Sequence, residues 1–87
     1  MQPRTTIPNQ ENVSHTLNRF LTLQEVIKIL SISRSAIYRR MDSKHELYDP
    51  TFPLPIKISG TSSRWIESEI IDWMNQVIER NRRTLIQ

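Results

Sequence analysis

The chain has 87 residues, with 12 Lys and Arg against 9 Asp and Glu, a net charge of +3 and a sequence pI of about 9.8. Its 37% of hydrophobic residues suffices for one modest core rather than a deep catalytic cleft, and the absence of cysteine excludes a disulfide framework and thiolate zinc sites. Residues 1–10 carry no apolar run of signal-peptide type, and no segment approaches the roughly 18 apolar residues of a membrane span, so a soluble cytoplasmic protein is expected.

Residues 1–18 mix Pro, Asn, Gln, Thr and Ser without periodicity and are expected to form a disordered arm. Thr22 then stands where a helix N-cap would, with Glu25 three residues on, the pattern of a capping box. From there Leu23, Val26, Ile27 and Leu30 recur at helical spacing and form one apolar face, with Gln24, Glu25 and Lys28 turned to water. Ser31-Ile-Ser33 interrupts this helix. Its serines compete for backbone hydrogen bonds, Ser33 can cap a second helix, and Ile32 supplies an apolar plug beneath the turn.

On a second helix from Arg34 to Met41, Ile37 and Met41 fall on one side with Ala36 at its edge. Ser35, Tyr38 and Arg39 fall on the other. Two short helices joined by a tight turn are a helix-turn-helix signature, and the outer residues suit a major groove. Arg can bond guanine bidentately, Ser can bond bases or phosphates, and the ring of Tyr38 offers apolar contact. Arg34 and Arg40 flank this face and are expected on phosphates. The alternative is a merely solvated basic face, which the capped turn ahead of it disfavours.

Ser43 to Pro55 includes Pro50, Pro53 and Pro55, which excludes a continuing helix, and Leu47, Tyr48 and Phe52 are expected to tuck this connection onto the core. Ile56 to Ile66 reads as a two-stranded hairpin whose turn holds Gly60, the only glycine of the chain. Lys57 and Arg64 stand either side of a tip made of Thr61, Ser62 and Ser63. A hairpin with basic and hydroxyl groups after a helix-turn-helix reads as a wing for phosphates or the minor groove; the alternative is a surface hairpin whose charges only solubilise.

The last helix is expected from Trp65 to about Arg83, with Ile66, Ile70, Trp73, Met74 and Val77 on one face as a lid over the core. Glu67, Glu69 and Asp72 near its start and Arg80, Arg82 and Arg83 near its end complement the helix dipole. Ile71 and Ile78, one heptad apart at the edge of that face, form either a wider core contact or a docking strip for a partner or second copy. Residues 84–87 are expected as a flexible tail.

No catalytic constellation is present. His15 and His45 lack ligand spacing, the acids of the last helix sit where its dipole favours them, and no phosphate-binding glycine loop or nucleophile elbow occurs. Neither enzyme activity, metal, cofactor nor small-molecule substrate is expected. Positive charge concentrates in mid-chain at Arg34, Arg39, Arg40, Lys44, Lys57 and Arg64, which points to nucleic acid.

Four runs in order carry a family resemblance: Phe20-Leu-Thr-Leu-Gln-Glu-Val26, Ser33-Arg-Ser-Ala-Ile-Tyr-Arg39, Phe52-Pro-Leu-Pro-Ile-Lys-Ile58 and Ser63-Arg-Trp-Ile-Glu-Ser-Glu-Ile-Ile-Asp-Trp73. Over about residues 18–83 the chain resembles the AlpA family of phage and prophage regulators, which are similar to excisionases and to the DNA-binding part of MerR-type proteins. The resemblance implies a winged helix-turn-helix domain over residues 19–83, mainly α with a small β-hairpin. It implies a bacterial, nucleoid-associated regulator that binds double-stranded DNA of a prophage or integrative element and controls integrase expression, excision or both. A recombination directionality factor acting on attachment-site DNA is the nearest alternative, and an adaptor using the last helix a more distant one.

Integrase or further copies of the chain are the protein partners so implied, without a membrane. By position, Ser33, Arg34, Ser35, Tyr38 and Arg39 match the recognition-helix motif, and Lys57 and Arg64 fall on the wing. Family members often have glycine in the turn where this chain has Ser31, so a strained or slightly different backbone is expected there. The tip Ser59 to Ser63 is less basic than many in the family.

Overall fold

The computed structural model describes residues 18–86, so residues 1–17 of the expected arm, His15 among them, lie outside the described residues. Its elements, in order, are β1 (Phe20–Leu21), α1 (Leu23–Leu30), α2 (Arg34–Met41), β2 (Ile56–Ser59), β3 (Ser62–Ile66) and α3 (Glu67–Ile86). The strands form an antiparallel sheet in the order β1-β3-β2, with Phe20 opposite Ile66, Leu21 opposite Trp65, Ile56 opposite Arg64 and Lys57 opposite Ser63.

Both expected caps are present. The Glu25 amide donates to Thr22 Oγ1 at 3.2 Å and the Thr22 amide to Glu25 Oε1 at 2.8 Å, closing the capping box of α1. The Ala36 amide donates to Ser33 Oγ at 3.0 Å, capping α2. Between the helices Ser31 takes φ 56° and ψ 38°, the left-handed conformation, and its N–H donates to the Ile27 carbonyl. It is the only non-glycine residue with positive φ among those described. A Cβ in that region costs on the order of 1 kcal/mol, which here turns the chain between two helices without glycine.

Leu21, Val26, Ile37, Phe52, Trp65, Ile70 and Trp73 form the buried core, one or two from every element except β2, plus Phe52 from the connection. Leu23, Ile27, Leu30, Ile32, Met41 and Val77 pack around them. The Phe52 ring meets Trp73 edge-on, with centroids 4.9 Å apart.

Three expectations need correction. Trp65 and Ile66 end a strand rather than begin the last helix, because both pair with β1 and strand alternation sends Trp65 into the core. Strand β1 itself is too short to leave a periodic signal. At the other end α3 continues through Ile86, since no glycine or proline halts it, so residues 84–86 of the expected tail are helical. Of the connection, only Phe52 is buried; Leu47 and Tyr48 are exposed.

The start of α3 is tied to the beginning of the fold. The Glu67 amide donates to the Arg19 carbonyl at 2.9 Å and the Ser68 amide to Asn18 Oδ1 at 3.0 Å. Free amides of the first turn are thereby satisfied by residues about fifty positions away. Asn18 therefore belongs with the folded unit rather than with the arm.

Candidate nucleic-acid interface

Helix α2 holds three arginines and no acid, and Ile37, with no exposed surface, fixes its inner side. That anchor leaves Arg34, Ser35, Tyr38 and Arg39 exposed together at the outer side and start of the helix, while Ser33 holds the cap. The sequence-expected reading face is thus one exposed surface on a capped helix anchored by Ile37. Its arginines carry the only formal charges on the helix, so the face is positive throughout.

Arg40 departs from the expected pattern. It is half-buried, its Nη1 donates to the Ala36 carbonyl at 3.0 Å, and its guanidinium lies over the Trp73 ring, 5.9 Å from the centroid. The Arg40 carbonyl in turn accepts from the Asp49 amide at 2.9 Å. An arginine expected on phosphate therefore joins the end of α2 to α3, because the helical turn that points Tyr38 and Arg39 outward points Arg40 toward Trp73.

Asp49, which sequence reasoning passed over, organises the other side of that contact. Its carboxylate accepts from the Trp73 indole N–H at 2.9 Å and from the Thr51 amide and hydroxyl at 2.8 and 2.6 Å, and Arg80 lies 4.0 Å away. Burial raises the pKa of this carboxyl, but the Thr51 and Trp73 hydrogen bonds and the Arg80 charge outweigh it and hold Asp49 below its ordinary 3.8. The local signal was Asp49-Pro-Thr51, an Asx-type turn sequence, although nothing in it announces a tryptophan partner. Glu25 is also held below its ordinary value, chiefly by the Thr22 amide that closes the capping box. Both are structural carboxylates.

The hairpin is built differently. Gly60 takes φ 48° at the first of two loop residues, so Ser59 faces Ser62, and an irregularity between Lys57 and Ser59 adds a residue to β2. All four β2 residues are exposed, including Lys57; Thr61 is exposed and Ser62 half-buried. Arg64 is half-buried with its Nη1 on the Ser63 carbonyl at 2.8 Å. The structure connects the hairpin to α2 through the core, where Trp65 and Ile37 belong to one cluster.

On α3, Ile71 is half-buried and Ile78 exposed, and neither belongs to the core cluster, whose α3 members are Ile70, Trp73 and Val77. Among the described residues no three His, Cys, Asp or Glu converge as metal ligands, and His45 Nδ1 accepts from the Leu47 amide at 3.0 Å. No described helix is long and apolar enough to cross a membrane.

Residues 19–79 match the family model described as prophage CP4-57 regulatory protein (AlpA). The chain is 38% identical over 58 residues, 67% of its length and 83% of the relative's, to the DNA-binding transcriptional activator AlpA of Escherichia coli strain K12. It is 34% identical over 68 residues, 78% of its length and 70% of the relative's, to the uncharacterized protein ORF88 of Enterobacteria phage P4. No solved structure matches.

Proposed function

The chain belongs to the AlpA family of prophage regulators, and from that premise we propose that it is a winged helix-turn-helix protein that binds double-stranded DNA and regulates genes of a prophage or integrative element. The binding unit is residues 19–83. Helix α2 enters the major groove, where Ser35, Tyr38 and Arg39 meet base edges, while Ser33, Arg34, Lys57, Thr61, Ser62 and Arg64 meet backbone or minor groove. Arg40 supports α2 from behind instead of touching phosphate.

The observation that carries this reading is the capped α2, pinned by Ile37 and Arg40 and exposing a positive face free of acids. A rigid helix holds its side chains in one register against the bases, which is what discrimination between base pairs requires. The regulated gene is that of an integrase, with control of excision as the consequence. Activation is the favoured mode because the Escherichia coli relative is named a transcriptional activator. Action within the bacterial cytoplasm follows from a DNA partner.

Selection of bound duplexes from a random pool tests the proposal, at near-physiological salt so that purely phosphate-driven binding is suppressed. Enrichment of one short motif, recurring at about one helical turn (~10 base pairs), is the expected result. A pool that emerges unenriched would remove sequence reading from the account.

A further inference from the structure

Helix α2 has eight residues, about 12 Å of helix, and one of them, Ile37, is fully buried. An apolar contact of that kind resists withdrawal from the core but is non-directional, so by itself it leaves the helix free to pivot about Ile37. Met41 packs against the core one turn on, but its unbranched side chain adapts to a shifted backbone. Hydrogen bonds are directional and can set the angle. At the end of α2 they come from Asp49 on the connection: its amide donates to the Arg40 carbonyl at 2.9 Å, and its carboxylate accepts from the Trp73 indole N–H of α3 at 2.9 Å. The Arg40 guanidinium over the Trp73 ring closes the circuit. Helix α3 is a fixed reference for it, held to the start of the fold through the Glu67 and Ser68 amides and in the core through Ile70.

We propose that Asp49 is a positioning residue for base reading: through Trp73 it sets the angle at which α2 presents Tyr38 and Arg39 to the major groove, and so fixes base selectivity without itself touching DNA. The proposal rests on the reading of α2 as the base-reading helix. Tyr38 and Arg39 stand within two residues of Arg40, so a tilt of the helix end carries directly to them, and base contacts tolerate displacements of only about 0.5 Å. Attraction to phosphate falls off slowly with distance and survives the same tilt. Loss of the Asp49 tie therefore reduces discrimination more than affinity. Its signature also differs from that of losing Arg39, which is felt at one base pair, because a tilted helix mispresents Tyr38 and Arg39 together.

The test uses the full-length protein and reads, for each variant, the ratio of affinities for the selected duplex and for duplexes carrying each single base-pair change. A loss of folded protein lowers all these affinities by one factor and cancels in the ratio, so a merely structural role leaves the ratios unchanged. Asp49→Ala keeps the amide bond to Arg40 but removes the carboxylate. Its ratios at two or more neighbouring base pairs are expected to fall roughly tenfold, the scale of a lost base contact, with binding to an unrelated duplex and its salt slope unchanged. Asp49→Asn, whose side-chain oxygen can still accept from the indole, is expected to keep the ratios of the intact protein. Trp73→Phe retains a ring against Phe52 and Arg40 without the N–H donor and is expected to behave like Asp49→Ala; it carries the test should Asp49→Ala fail to fold. Val26→Ala, a core truncation on α1, is the control for destabilisation alone. Unchanged ratios in Asp49→Ala and Trp73→Phe would overturn the positioning role and leave base reading by α2 intact. Equal binding of all duplexes by the unaltered protein would instead overturn base reading, and the positioning role with it.

Discussion

Helix α2 and strand β2 both present basic residues to solvent, but they are held in opposite ways. Helix α2 has a hydroxyl cap at its start, a fully buried isoleucine at its middle and an arginine–tryptophan contact at its end. Strand β2 has no buried residue, an irregular register and a single neighbouring strand. A rigid element can hold side chains to the tolerance that base discrimination demands, whereas charge attraction to phosphate tolerates a loosely held one. The anchoring difference therefore predicts a division of labour, with sequence read by α2 and affinity supplied without sequence by the hairpin.

Core truncation should break the comparison most severely. Ile37→Ala removes the central anchor of α2 and is expected to cost about 2–5 kcal/mol of stability, whereas Ile58→Ala in β2 should stay within about 0.5 kcal/mol, both read from denaturant unfolding. Comparable losses would mean that the two elements are equally anchored. Removal of the α2 cap comes next: Ser33→Ala should cost about 1 kcal/mol and lower DNA affinity in proportion to the destabilised helix start.

The anchor at the far end of α2 gives a pH signature. Asp49 has a native pKa below its ordinary 3.8, so the native state binds fewer protons than the unfolded chain around that value. The stability it contributes is fully present above the unfolded pKa and is lost as pH falls through the native one. Asp49→Asn should therefore flatten the acid limb of a stability–pH profile while leaving the slope above pH ~6 unchanged. The smallest expected effect belongs to the hairpin: Lys57→Ala should weaken binding to all duplexes similarly and reduce the salt slope by about 1.

What the sequence disclosed and what it concealed divide along the range of the interactions. Thr22 with Glu25, and Ser33 with Ala36, act within three residues, so the caps, the two helices and the turn between them were legible from type and spacing. Gly60 disclosed the hairpin for the same reason. Ser31 disclosed a departure at the turn, which proved to be a left-handed residue without glycine.

The concealed features all depend on distant partners. Strand β1 exists because Phe20 and Leu21 meet Ile66 and Trp65 across the chain. That pairing also holds Trp65 in a strand although its neighbours continue a helical pattern. Arg40 looked like Arg39 in sequence and parted from it only because Trp73 lies on its side of α2. Asp49 carried a turn signal whose indole partner is 24 residues away.

Base-by-base competition with Arg39→Ala on the selected duplex tests the division of labour most directly. The account predicts that the variant loses about 1–3 kcal/mol of discrimination at one base position and keeps the preferences of the intact protein elsewhere. A uniform loss on every duplex, with discrimination unchanged at every position, would contradict it and place Arg39 on phosphate with the wing.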